Sequence, residues 1–437
     1  MTQVVARMAD GIGAFDASEW DACAGDENPF VSHAFLSALE DSGSAIAQTG
    51  WQAVPIAIDG PDGAPAAILP AYAKSHSQGE YVFDHGWADA WERAGRSYYP
   101  KLQIAVPFSP VPGPRLLLRD LSLAPALIAA AEAVVEQNDL SSAHATFIEG
   151  PQLHLFEQAG WLIRADRQFH WFNRGYGNFD DFLGALSSRK RKALRKERAQ
   201  ARVGLEFLHL TGAAIEERHW DAFWTFYQDT GSRKWGRPYL KRSFFSLLGK
   251  RMGDKVILML ALRNGHPIAG ALNLVGRDTL YGRYWGCTEE VPLLHFELCY
   301  YQAIDVAIER GLAKVEAGAQ GEHKLARGYL PTPTFSAHYI PDPSFRRAVE
   351  DYLEQERRMI AAVGTVNCAS SRRAHRSPAS ATVSHSATRR RRSAISNGFV
   401  RTGQPIAASG SSASASALPV TKATRGARAG RWMPIQS

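Results

Sequence analysis

The sequence predicts a mixed α/β (α+β) fold of two tandem units with mixed sheets, followed by a disordered basic tail. Three observations predict it. Strand–turn–strand runs recur in both halves, WQAVPIAIDGPDGAPAAILPAYAKSHSQGEYVFDHGW in the first and KVILMLALRNGHPIAGALNLVGRDTLYGRYWGC in the second. An apolar-periodic helix and a short strand follow each run, at Ser122–Asn138 and Ala143–Glu149, then at His295–Gly311 and Ala313–Ala317. Antiparallel strands leading through a helix to a further strand make a mixed sheet. After Val363 apolar periodicity stops and Ser, Ala, Arg, Pro and Gly dominate. Such a segment buries too little surface to offset chain entropy.

The expected domains are 1–165, 166–363 and the tail 364–437, with the join near Gly160–Arg174. Within the repeat, Pro65–Leu69 sits opposite Pro267–Ala271 and Tyr81–Gly86 opposite Tyr281–Gly286. The first half alone inserts residues 88–115, with a strand at Lys101–Val106 and a Pro-rich loop. Three prolines lack N–H groups, so that loop reads as a rigid structural element rather than a phosphate cradle.

Composition bounds the function. The 437 residues carry 50 Lys and Arg against 43 Asp and Glu. Eleven Arg and one Lys fall after Val363 with no acid, so the body is mildly acidic and the net +7 does not indicate a nucleic-acid-binding fold. A solvated tail accounts for the run Arg389–Arg392. The run also suits RNA, anionic lipid or a cell-wall polymer, and the loss of all acids also fits a shifted reading frame. No stretch has the roughly 18 apolar residues of a membrane span. The start, MTQVVARMAD, lacks a charged-then-apolar pattern, and four scattered cysteines lack metal spacing. A cytoplasmic protein without a metal site is expected. Signatures for nucleotide hydrolysis, serine hydrolysis and zinc proteolysis are missing.

The chemistry concentrates in KVEAGAQGEHKLARGYLPTPTFSAHY, residues 314–339. Loops after strand ends are where scaffolds place reactive groups. Gln320, Glu322, His323 and Lys324 lie there, and His338 flanks them. Glu316 alternates with Val315, so it is expected on the open face of its strand. A second cluster, SRKWGRPYL, crowds Trp235, Arg237 and Tyr239 about a helix break and suits a polar or anionic substrate. A third, SSRKRKALRKERAQAR, sets Arg189, Lys190, Arg191 and Lys192 at the head of a helix with eight bases and one acid. Their mutual repulsion is relieved by a partner anion, such as a donor phosphate.

These blocks, with NPFVSHAFLSALE (Asn28–Glu40), resemble the Fem-like branch of the GNAT acyltransferase superfamily, N-acyltransferases linked to peptidoglycan. The resemblance covers about Phe30–Arg358. It implies two tandem GNAT-like domains and transfer of an acyl group from acyl-CoA, or of an aminoacyl group from tRNA, to an amine such as that of a cell-wall precursor. The usual Gly- and Arg-rich pyrophosphate loop of GNAT enzymes is not clear in this sequence. Transfer to an amine needs a base, for which Glu316, Glu322 and His323 are the candidates, and a proton donor, for which Tyr284 or Tyr301 serves. Lys324 and the basic helix would hold donor phosphates, while Trp235, Arg237, Tyr239, Gln320 and His338 would contact substrate. Two alternatives stand beside acyl transfer: a tRNA-dependent Fem-type aminoacyltransferase, and a non-catalytic module binding RNA or an anionic polymer.

Overall fold

The computed structural model describes residues 4–235, 238–318, 321, 323–373 and 431–434, with side chains left undescribed at 230–235, 359–373 and 431–434. Residues 358–428 cluster as a unit separate from residues 1–357 and 429–437.

Among the described residues sixteen strands form two sheets. They are β1 (Val5–Met8), β2 (Trp51–Ala53), β3 (Ile56–Asp59), β4 (Pro65–Leu69), β5 (Ala71–Lys74), β6 (Lys101–Ile104), β7 (Leu117–Leu118) and β8 (Ala143–Ile148) in the first half. Then come β9 (Leu162–Phe172), β10 (Glu206–Leu210), β11 (Val256–Arg263), β12 (His266–Val275), β13 (Thr279–Cys287), β14 (Lys314–Glu316), β15 (Leu330–Tyr339) and β16 (Arg431–Pro434). The small sheet runs β16-β1-β3-β4-β7, and the large one β10-β11-β12-β13-β14-β9-β15-β8-β6-β5-β2. Pro70 separates β4 from β5, because a proline cannot donate to the ladder and the strand changes sheets there.

Each half builds the same unit. Antiparallel β5–β6 leads through a helix (Ala124–Gln137) to β8, which pairs parallel with β6. Antiparallel β12–β13 leads through a helix ending at Glu309 to β14, which pairs parallel with β13. The two units then exchange strands. β9 follows β8 in the chain but pairs with β14, while β15 follows β14 but pairs with β8. β9 and β15 lie against each other over nine residue pairs. One continuous sheet results, and the expected boundary at 165/166 falls inside β9.

Two expectations from the repeat are corrected. Tyr81–Gly86 is not a strand: Tyr81 is left-handed (φ 61°) and a helix starts at His85. The counterpart of β13 is β6, inside the segment read as an insertion. At the other end, a helix runs from Pro343 to Arg373, past the boundary at 363, and Arg431–Pro434 pairs with β1. The rest of the tail, with Arg389–Arg392, lies outside the described residues.

The Pro-rich loop is structural, as its prolines suggested. The buried Arg115 guanidinium donates to the carbonyls of Thr146 (2.7 Å), Val111 (2.7 Å) and Pro114 (2.9 Å).

Candidate functional site

The site lies where β13 parts from its neighbours. On one side, the β12–β13 ladder slips: Leu272 faces Tyr284 and Asn273 faces Gly282, so Arg283 is the extra residue of a bulge. Bulges re-aim side chains and are over-represented beside active sites. On the other side, the parallel β13–β14 pairing covers only Thr279–Tyr281 with Lys314–Glu316. β13 runs on to Cys287 while the other chain turns away at Gly318 (φ 79°). The opening is a cavity of about 90 Å³ whose lining includes Asn273, Gly282, Arg283, Trp285, Tyr300 and Ala317.

Arg283 bridges the parting strands. Its Nη1 donates to the carbonyls of Gly282 (3.0 Å) and Glu316 (3.3 Å), and its Nη2 to Glu316 Oε2 (3.1 Å). Burial pulls the guanidinium pKa down, and the Glu316 charge opposes that. Glu316 was expected on an open face, and this is corrected. It is 0% exposed and packs on the buried Arg283 side chain, with His170 of β9 opposite it in the ladder. Lys314 Nζ stands 3.2 Å from its other oxygen.

The back wall is a helix with a register defect. Leu294–Phe296 is α-helical, Glu297–Tyr301 a π turn, and Gln302–Glu309 α-helical again. A π turn rotates the residues around it, and such turns are frequent at functional sites. Here it sets Cys299 and Tyr300 into the cavity wall. Tyr301 turns away, with its hydroxyl on Glu197 at 2.6 Å. Uniform helical periodicity over His295–Gly311 hid this, so Tyr300 was missed. Asn273 and Arg283 were missed too, because a bulge has no reliable sequence signal.

His323 and Lys324 open a short helical turn (His323–Ala326) at the mouth. His323 Nε2 lies 2.9 Å from the Tyr300 hydroxyl. Its pKa is lowered by partial burial, then by Arg327 and Lys324. Lys324 does not reach for phosphates. It is 1% exposed, and its Nζ donates to the carbonyls of Ala317 (2.6 Å) and Gly318 (2.8 Å), pinning the strand that turns away. Burial lowers it to about 8. Tyr284 packs on Tyr227, and its hydroxyl lies 3.3 Å from both Ser109 Oγ and the Phe108 carbonyl of the first half. Tyr239 is half-buried and stacks on Phe108 at 5.0 Å. Trp235 ends a helix (Glu217–Trp235) and its side chain is not described. Arg237, Gln320 and Glu322 lie outside the described residues.

His338 belongs elsewhere. Eight residues along β15 from Leu330 is roughly 27 Å. Its Nδ1 lies 2.7 Å from that of His144 in a buried cluster with Tyr98, Asp84, Lys101 and Glu80. It is 1% exposed there, so it cannot meet substrate beside His323.

The basic helix (Ser188–Ala201) is only partly free. Arg195 pairs with Asp180, Arg198 with Asp305 and Glu297, and Arg202 with Glu297. Arg191 donates to the Gly184 and Leu186 carbonyls. Lys190 reaches the Leu325 carbonyl at 3.4 Å, placing the head of this helix beside the mouth. Arg189 and Lys192 are exposed, and no described residue pairs with them.

Beyond Trp285 a cavity of about 590 Å³ opens before Leu294, lined by Glu289, Glu290, Val291, Pro292 and Phe296 among others. The loop Thr288–Leu293 holds two acids and a proline, with no Gly, Lys or Arg. The amides of Leu294, Phe296 and Glu297 at the start of the helix it leads into already donate to the carbonyls of Val291 and Leu293. That chemistry does not fit a CoA pyrophosphate.

Among solved structures, FemX is similar at 12% identity over 77% of this chain and 98% of its own, with a TM-score of 0.49. L-PGS from Bacillus licheniformis matches at 11% identity, covering 73% and 94%, with a TM-score of 0.46. A tandem GNAT protein from the clavulanic acid biosynthesis pathway matches at 11%, covering 78% and 99%, with a TM-score of 0.41. No curated protein sequence matches. Among the described residues no helix is long and apolar enough to cross a membrane, and no group of His, Cys, Asp and Glu is placed to hold a metal. The FemAB-like profile, described as peptidoglycan biosynthesis/recognition, matches residues 11–372, most of the chain, and the chain belongs to that family.

Proposed function

We propose that this protein transfers an acyl or aminoacyl group to an amine, with a peptidoglycan precursor as the acceptor class. The observation that carries the reading is the parting of β13 from β14 over a small cavity, with the Tyr300–His323 pair at its edge. The amine nitrogen attacks the acyl carbon, a C–N bond forms, and the bond from that carbon to its carrier breaks. The amine proton passes to His323 through the Tyr300 hydroxyl, and the carrier leaves with a proton returned by the same pair. Glu322 adjoins His323 and is the second candidate base. Trp235, Arg237 and Gln320 remain proposed substrate contacts.

An aminoacyl ester on tRNA is favoured over acyl-CoA as donor. The loop Thr288–Leu293 offers a pyrophosphate neither glycine nor a base of its own, whereas Lys190 lies beside the mouth on a helix head where Arg189 and Lys192 are also exposed, a face a tRNA acceptor stem could follow. The test is single-turnover transfer by the full chain from acetyl-CoA, a longer acyl-CoA and a mixture of aminoacyl-tRNAs to a peptidoglycan stem peptide. Transfer from tRNA alone is expected. Transfer from acyl-CoA alone overturns the donor assignment. Binding of tRNA without transfer from any donor favours a non-catalytic module.

A further inference from the structure

Two residues of the cavity beside β13 carry unsatisfied polar atoms of opposite sense. Asn273 and Arg283 both line it. Oδ1 of Asn273 and Nε of Arg283 are buried and lack a hydrogen-bond partner among the described residues. Asn273 is 1% exposed, and so is the Arg283 side chain. One atom accepts and the other donates. Both positions come from the same slip in the β12–β13 ladder, which leaves Arg283 over and sets Asn273 against Gly282. A Cβ at Gly282 would stand 3.2 Å from Asn273 Oδ1, so any larger residue there would crowd that oxygen.

Native folds satisfy nearly all buried polar atoms, and an orphan at a cavity wall is an argument for a ligand. The neighbouring hydroxyls are already engaged, Tyr284 with Ser109 and Tyr300 with His323. We propose that the cavity receives a group carrying an N–H beside a C=O. The N–H donates to Asn273 Oδ1, and the carbonyl oxygen accepts from Arg283 Nε. This rests on the acyl-transfer reading and deepens it, making Asn273 a specificity-determining residue. An acetyl group offers the carbonyl but no N–H, and leaves Asn273 unsatisfied. An α-aminoacyl group satisfies both atoms, as does a peptide amide of the acceptor. Glu316 neutralises Arg283, so a protonated amine is not repelled. Sites that hydrogen-bond a substrate N–H or O–H discriminate strongly against analogues lacking it.

Three small probes separate the sources: methyl propionate (carbonyl only), alanine methyl ester (amine and carbonyl) and N-methylacetamide (amide). Their binding to the full chain is titrated by NMR up to 100-fold above the protein concentration and beyond, to about 100 mM. The wild type is expected to bind alanine methyl ester at least tenfold more tightly than methyl propionate. Asn273→Leu removes that preference. Should Asn273→Leu fail to fold, Gly282→Ala is the second variant, expected to weaken alanine methyl ester tenfold and spare methyl propionate. A preference for N-methylacetamide alone supports the pair and assigns it to the acceptor peptide. Equal binding of all three, an unchanged preference in the variants, or no binding by the wild type overturns the assignment. The acyl-transfer reading is then judged separately, by the transfer assay.

Discussion

The Tyr300 hydroxyl and Nε2 of His323 lie 2.9 Å apart, joining the floor of the cavity to the loop at its mouth. The π turn makes this contact, because it swings Tyr300 toward the cavity while Tyr301 stays on Glu197. Positioned acid–base groups contribute about 10²–10⁴-fold. His323→Ala and Tyr300→Phe are each expected to lower kcat by about 10²-fold, and the double variant by little more, since the two act in series. With its pKa lowered, His323 stays neutral at pH 7. The kcat/KM of the wild type then falls only below pH 6.5, and His323→Ala lacks that acid limb. Two independent, multiplicative losses would sink the relay.

Glu316 does a different job from the one its strand position suggested. It is fully buried against Arg283, so Glu316→Gln leaves a buried cation with one weakened partner. Breaking such a pair costs about 3 kcal/mol or more. A fall of the urea midpoint at unchanged slope is expected, with activity lost only in proportion to unfolding. Arg283→Met with Glu316→Leu removes both charges and is expected to recover most of the stability while abolishing transfer. A stable, inactive Glu316→Gln would instead return Glu316 to the chemistry.

The residues that were legible in the sequence are those whose signal is local. The strand before Glu316, the helix after Val291 and the charged turn at His323 follow from periodicity and from Gly and polar punctuation. The misassignments share a cause in pairing at long range. Glu316 alternates with Val315 as a half-open strand should, but Arg283, the bulge residue of β13, packs on its carboxylate and buries it. His338 is fifteen residues from His323, yet an extended strand carries it to the first half. Tyr81–Gly86 imitates Tyr281–Gly286 in its aromatic alternation, but the left-handed Tyr81 breaks the strand. Asn273, Arg283 and Tyr300 owe their positions to a bulge and a π turn, defects that tertiary packing imposes.

The buried histidines of the first half give an acid-sensitive stability. His144 and His338 share one N–H between their Nδ1 atoms. Burial, then Lys101, lowers His144 to about 3; burial, then His144, lowers His338 well below its usual value. Both are neutral in the fold and titrate near 6.5 when unfolded, so their contribution is complete above pH 6.5 and is lost as pH falls from there toward 3. Glu80, raised to about 7 by burial, acts in the opposite sense, while Lys74, lowered to about 7 by burial, titrates above this range. Asp84 is held low by the Lys101 charge and hydrogen bond against burial. These groups remain in the variant His144→Phe/His338→Leu and cancel in comparison. Urea unfolding of the wild type is expected to weaken from pH 6.5 to 4 relative to that variant. Parallel curves would mean that the pair is protonated in the fold.

The head of the basic helix is where a nucleic-acid donor is expected to register. Of its bases, Arg198 and Arg202 hold the helix to Glu297, and Arg195 pairs with Asp180. Charge reversal there would unfold the site as well as repel an anion, so it tests nothing. Arg189, Lys190 and Lys192 are exposed, and Lys190 reaches the Leu325 carbonyl beside the mouth. Replacing all three with Glu is expected to leave the melting temperature within about 2 °C. It should weaken tRNA binding at least tenfold and reduce the slope of log K against log salt by roughly two to three, one counterion for each lost phosphate contact. A slope that does not change would place the tRNA, or any other polyanion, on a different surface, and the donor would then have to be sought among small acyl carriers.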